Sequence, residues 1–117
     1  MMTATEAQME ENYAHHKDKP FFADLKRFMT SSPLVCMLWE GVDCIAVARK
    51  MAGTTNARNA ELGTIRGDFS MSTSANIIHV SDSEAAAKEE ETRFFEKGEI
   101  FDWENMAMPY LYGEDEK

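Results

Sequence analysis

Cysteine, proline and glycine are all scarce in this chain of 117 residues, at 2, 3 and 6 copies. So few cysteines exclude a disulfide scaffold, and so little proline and glycine exclude collagen-like and low-complexity classes. Cys36 sits in an apolar run and Cys44 eight residues later in a helical pattern. No CxxC spacing joins them, which points to buried, reduced thiols. No stretch approaches the roughly 20 apolar residues of a membrane span. The N-terminus is polar and acidic, not a basic segment followed by an apolar one, so a cytoplasmic protein without membrane contact is expected. Cations are also in deficit: 12 Lys and Arg face 21 Asp and Glu, a net charge of −9. That sign opposes general binding to nucleic acid or an anionic membrane. No internal repeat is present.

What the chain does have is 44% apolar and 28% charged residues, the make-up of one globular domain. A chain of this size buries roughly two-thirds of its unfolded surface, so a single domain over residues 1–117 with one core is expected. Residues 104–117 form an acidic tail behind the anchor Trp103. Thr5 and Gln8 stand in capping-box relation at the start of a helix reaching about His16. After Pro20, the positions Phe21, Phe22, Leu25, Phe28 and Met29 mark an amphipathic helix. Leu34–Trp39 is a nearly continuous apolar run, the signature of a strand buried on both faces. Helical spacing returns through Val42, Ile45, Ala48, Met51 and Ala52 and stops at Gly53. Residues 54–74 show little periodicity over a length that favours a functional loop. Ala75–Val80 then reads as a short strand, and Ser81 with Glu84 as the capping box of a helix to about Phe95.

Charge is distributed unevenly. From Arg49 to Arg66 there are four basic residues and one acid, whereas Glu84 to the end holds eleven acids and four bases. A cationic patch in an anionic protein suits a small anionic ligand. His79 falls at the carboxyl end of a predicted strand, ahead of a helix N-terminus, where sheets of α/β and α+β folds place ligands. The alternative is a satisfied structural histidine. On the following helix the inward stripe runs through Ala87, Glu90 or Glu91, and Phe94. A carboxylate there could hold one imidazole nitrogen as N–H and leave the other free as a nucleophile, unless it is simply exposed. Gly63 and Gly67 flank Arg66, which with Arg49 could grip phosphate oxygens through forked hydrogen bonds. Pairing of Arg66 with Asp68 or a helix end is the other possibility. Thr55, Asn56 and Asn76 offer uncharged partners. Phe21 and Phe22 are adjacent and cannot both point inward, so one ring stays near the surface. His15, His16 and His79 supply no third ligand at a spacing that suggests a metal centre.

The strings Tyr13–Phe22 (YAHHKDKPFF), Trp39–Gly41 (WEG), Gly53–Asn56 (GTTN), Gly63–Phe69 (GTIRGDF) and Asn76–Ser83 (NIIHVSDS) occur in the order and spacing of one family. Through them the chain resembles the nucleoside diphosphate kinases from about Thr3 to Trp103. The resemblance implies an α+β fold with a ferredoxin-like antiparallel sheet. It also implies ping-pong transfer of the γ-phosphoryl of ATP to nucleoside diphosphates through a phosphohistidine on His79. It makes Glu90 the orienter of that ring, with Ser81 and Tyr13 in support. Phe21 and Leu25 then meet the base, Arg49, Thr55 and Arg66 the phosphates, and Asn76 sugar and phosphate. Mg²⁺ bridging the phosphates is implied, with no metal site of the protein's own, and so is a homo-oligomer, hexameric or tetrameric in the family.

Some features depart from the family pattern. The family's opening β-α-β portion, including a strand with a Lys-Pro-Asp motif, does not precede Met1, so an N-terminally truncated member is expected. Ser74 and Ala75 stand where the family has glycine and arginine, and Val80 where it has glycine. A catalytically impaired remnant that binds nucleotide weakly or acts through protein contacts is the alternative to a working kinase.

Overall fold

The computed structural model describes residues 1–116. Six helices follow in order: α1 (Glu6–Asn12), α2 (Phe22–Met29), α3 (Cys44–Ala52), α4 (Ile65–Phe69), α5 (Glu84–Phe94) and α6 (Met108–Leu111), with single 3-10 turns at Ala14–His16 and Ala57–Asn59. The capping box at α1 forms: Gln8 N donates to Thr5 Oγ1 while Thr5 N donates to Gln8 Oε1, at 3.2 and 2.9 Å. These satisfy donors that a helix start leaves without partners. Lys26 Nζ on α2 reaches Glu6 and Glu10 on α1 at 3.0 and 2.8 Å, tying the two helices side by side. Gly53 ends α3 with φ of 80°, a conformation only glycine takes without strain.

Three expectations need correction. Residues 54–74 are not structureless, because the 3-10 turn and α4 lie inside them. Thr64 caps α4 by accepting from Gly67 N at 3.1 Å. A Cβ on Gly67 would collide with the Glu61 carbonyl, so the second glycine is required by packing. The helix expected from Ser81 is instead capped by Ser83, which accepts from Ala86 N at 3.2 Å. Ser81 is diverted to another partner, described below.

The two predicted strands are the third case. Among the described residues the only β-type pairing is a bridge between Met2 and Leu34. Residues 35–40 make no backbone–backbone hydrogen bond, and Val35, Met37, Leu38 and Trp39 are about half exposed or more. A strand is defined by its neighbour, and beyond Leu34 this apolar segment finds none among the described residues. In the second segment Ile77 has φ of 62°. A β-branched residue in the left-handed region turns the chain, so the alternation expected through Ile77, His79 and Ser81 breaks. The core is correspondingly small: Ala4, Met9, Ala52 and Ala57 are the buried apolar residues. Cys36 and Cys44 are both free and half-buried. Among the described residues no helix is long and apolar enough to cross a membrane. Lys117, the last residue of the predicted tail, lies outside the described residues.

Candidate functional site

His79 emerges from the turn that Ile77 creates, and α5 brings a carboxylate to its ring. Nε2 of His79 lies 2.7 Å from Glu90 Oε1, and Ser81 Oγ donates to the other oxygen, Glu90 Oε2, at 2.5 Å. The helix start at Ser83 leaves Ser81 free for this role. Glu90 is the sheltered partner, with 17% of its side chain exposed against 39% for His79. Burial pushes the Glu90 carboxyl upward. The hydrogen bonds from His79 and Ser81 and the charges of His79 and Arg93 outweigh it, holding the carboxyl below its ordinary value. Glu90 therefore stays ionised at neutral pH and accepts the proton on Nε2, which leaves Nδ1 with its lone pair.

A group whose folded-state pKa is depressed adds stability above its unfolded pKa and loses it as pH falls through the folded value. Stability carried by Glu90 is thus lost below the ordinary carboxylate range. Acid unfolding of Glu90→Gln, followed by circular dichroism, is expected to have a shallower fall over that window than the parent chain.

Aromatic rings extend from the histidine toward α2. Tyr13, the residue closing α1, meets His79 edge-on with centroids 5.9 Å apart. His16 stacks on Tyr13 at 6.4 Å and meets Phe21 edge-on at 5.3 Å. Phe21 precedes the first turn of α2 and is 41% exposed, while Phe22 is half-buried, so Phe21 is the ring left at the surface. Leu25, one turn on, is half-buried. Burial and the Glu90 charge raise the Tyr13 hydroxyl above its usual value, which keeps it neutral.

On the other side stands Arg66. Its Nη1 donates to the Gly53 carbonyl at 2.6 Å and its Nη2 to the Ile78 carbonyl at 2.7 Å. The guanidinium thereby fastens the end of α3 to the residue just before His79. It does not pair with Asp68, whose carboxylate accepts from Gly63 N at 2.8 Å. Nε of Arg66 is buried without a partner. Burial depresses its pKa, and the nearby Arg49 charge lowers it further. Two cations close enough to repel favour an anion between them. Arg49, in the last turn of α3, and Thr55, in the turn after it, are both exposed. Asn76 Nδ2 donates to the carbonyls of Thr55 and Thr73 at 3.1 and 3.0 Å, holding that turn against the His79 segment. Among the described residues no group of three or more His, Cys, Asp or Glu could hold a metal ion.

Two features escaped the sequence reading. Main-chain carbonyls as partners of Arg66 carry no residue signature. Arg93, which no sequence pattern singled out, has a side chain only 11% exposed that reaches α1.

The chain matches the family model described as nucleoside diphosphate kinase over residues 1–100. It is 51% identical over 116 residues to a nucleoside diphosphate kinase of Parabacteroides distasonis, covering 99% of this chain and 76% of that one. It is 48% identical over 111 residues to one of Halalkalibacterium halodurans, covering 95% and 76%. In three dimensions it is similar to a halophilic nucleoside diphosphate kinase of Halobacterium salinarum in complex with CDP, with a TM-score of 0.92 and 41% identity over 96% of this chain and 75% of the other.

Proposed function

Because this chain belongs to the nucleoside diphosphate kinase family and is a phosphotransferase of that kind, we propose that it carries the transferred phosphoryl group on Nδ1 of His79. The observation that supports this reading is the Glu90 carboxylate on Nε2 at 2.7 Å. With one nitrogen committed as N–H, the other is an accessible nucleophile. Nδ1 attacks the γ-phosphorus of a nucleoside triphosphate, the N–P bond forms and the bond to the bridging oxygen of the departing diphosphate breaks. A second nucleoside diphosphate then attacks through its terminal oxygen and regenerates the imidazole. The imidazolium character of the phosphorylated ring is balanced by ionised Glu90, whose second oxygen is held by Ser81.

Phe21 with Leu25 receives the base, and stacking on a ring tolerates every base because each has a π-face. Arg49, Arg66 and Thr55 take the phosphates, and Asn76 the sugar side. CDP in the Halobacterium salinarum structure is the same class of molecule. The phosphate donors here are cationic or neutral. That would suit Mg²⁺ held by the nucleotide's own phosphate oxygens, where it would supply charge neutralisation. ATP is the donor we assign, with the cytoplasm as the compartment.

A labelling experiment tests this. Incubation with γ-labelled ATP and Mg²⁺ is expected to give an acid-labile, base-stable label that any nucleoside diphosphate discharges, with parallel-line ping-pong kinetics. No label at high ATP contradicts the reading and favours the impaired remnant.

We also propose a homo-oligomer. The chain exposes 9179 Å², whereas a compact monomer of 13.3 kDa exposes about 6,400 Å². The excess far exceeds the roughly 800 Å² per partner of a standard interface. Native mass measurement at micromolar concentration is expected to show an assembly of copies, and a monomer alone contradicts it.

A further inference from the structure

Helix α5 buries none of its residues fully, so apolar packing alone does not fix where it sits. Its position decides where Glu90 lies. One turn beyond Glu90, Arg93 points at the end of α1. Nη1 donates to Asn12 Oδ1 at 2.7 Å, and Nη2 lies 3.2 Å from Glu11 Oε1. The Arg93 carbonyl accepts from Gln8 Nε2 at 3.3 Å, so the side chain and main chain of one residue both hold α1 from more than 80 positions away. Gln8 is the reciprocal partner of Thr5 in the α1 capping box, and Asn12 precedes Tyr13, whose ring meets His79. The Arg93 side chain is 11% exposed and its Nε is buried without a partner, whereas Glu11 is 68% exposed. The sheltered bond from Nη1 onto Asn12 therefore outweighs the solvent-screened ion pair of Nη2 with Glu11.

We infer that Arg93 is a positioning residue. By bolting the last turn of α5 to the end of α1, it sets Glu90 and Tyr13 at fixed places on two sides of the His79 ring. The inference rests on the reading of His79 as phosphoryl carrier. Misplacing a catalytic group by about 1 Å can cost on the order of a hundredfold in rate. The groups facing Glu90 are His79 and Ser81 from the preceding segment, Tyr13 from the end of α1, and Arg93 on its own helix, the last two through charge.

The full chain is tested as Arg93→Ala and Asn12→Ala. Arg93→Ala is expected to slow phosphohistidine formation about tenfold to a hundredfold, with KM for ATP within about twofold, because the phosphate and base contacts lie on other elements. The pair Asn12→Ala/Arg93→Ala should be no slower than Arg93→Ala, since both break one bond. Nitrogen-15 spectra of His79 should show the Nε2–H tautomer less dominant in Arg93→Ala than in the parent chain, a readout that needs no turnover. Should Arg93→Ala fail to fold, Asn12→Ala and Arg93→Lys carry the same measurements, the lysine lacking the fork. Rates and tautomer matching the parent overturn the inference, as does a slowing explained wholly by a smaller folded fraction. His79→Ala separates the two readings. Label surviving in it sinks the carrier assignment, whereas label lost there but formed at the parental rate in Arg93→Ala sinks only the role of Arg93.

Discussion

Replacing His79 with Ala is expected to remove phosphoryl transfer by about 10⁴-fold or more, the scale of losing a nucleophile, with thermal stability nearly unchanged. No neighbour can substitute. Ser81 is committed as a donor to Glu90, and the ring of His16 is occupied between Tyr13 and Phe21. Stability should hold because the His79 ring is 39% exposed and Glu90 keeps Ser81 when the ring is gone. Steady-state transfer from ATP to a nucleoside diphosphate, beside a melting curve, checks both halves. A variant within tenfold of the parent would place the carrier elsewhere.

The second large effect belongs to Arg66, and it differs in kind. Arg66→Met keeps much of the volume but removes a cation beside Arg49 and the two hydrogen bonds to Gly53 and Ile78. Charge-assisted bonds of this sort contribute about 1.5–3 kcal/mol each. With two such bonds gone the variant should lose about 3–6 kcal/mol of a net stability near 5–15 kcal/mol. Because the Ile78 carbonyl adjoins His79, kcat/KM should fall by about 10²–10³-fold, as removal of a preorganised donor does. Arg66→Lys keeps the charge but not the fork and should recover little. Denaturant unfolding and transfer kinetics on both variants decide it. Lysine restoring activity would mean that charge alone matters at this position.

The parts of this molecule that local chemistry determines were readable from residues. The Thr5–Gln8 box and the stop at Gly53 follow from neighbours within a few positions, as does one ring of the Phe21–Phe22 pair staying near the surface, though not which one. Decisions made by distant partners were not. Ser81, Asp82 and Ser83 all qualify as helix caps, and Glu90, nine residues on, takes Ser81 away from that task. The alternation through 77–81 promised a strand, but Ile77 adopts a left-handed turn held between neighbours that no pattern announces. The apolar run at 34–39 carries every mark of a buried strand, yet pairing depends on a neighbouring strand and not on its own composition. Within the site, helical periodicity put a carboxylate, Glu90 or Glu91, on the inward stripe of α5, whereas His79 is presented by the turn at Ile77 and not by a strand end. The stitching of Arg66 to carbonyls and of Arg93 to α1 was not legible, because main-chain acceptors and long-range amides leave no spacing rule.

The imidazole nitrogen that becomes phosphorylated decides whether Glu90 orients His79 for attack. Phosphorus and nitrogen-15 spectra of the protein trapped after exposure to ATP and Mg²⁺ read this directly. A single phosphoramidate on Nδ1 of His79, with Nε2 still protonated toward Glu90, is the predicted result. Phosphate on Nε2, or on any other residue, would contradict it.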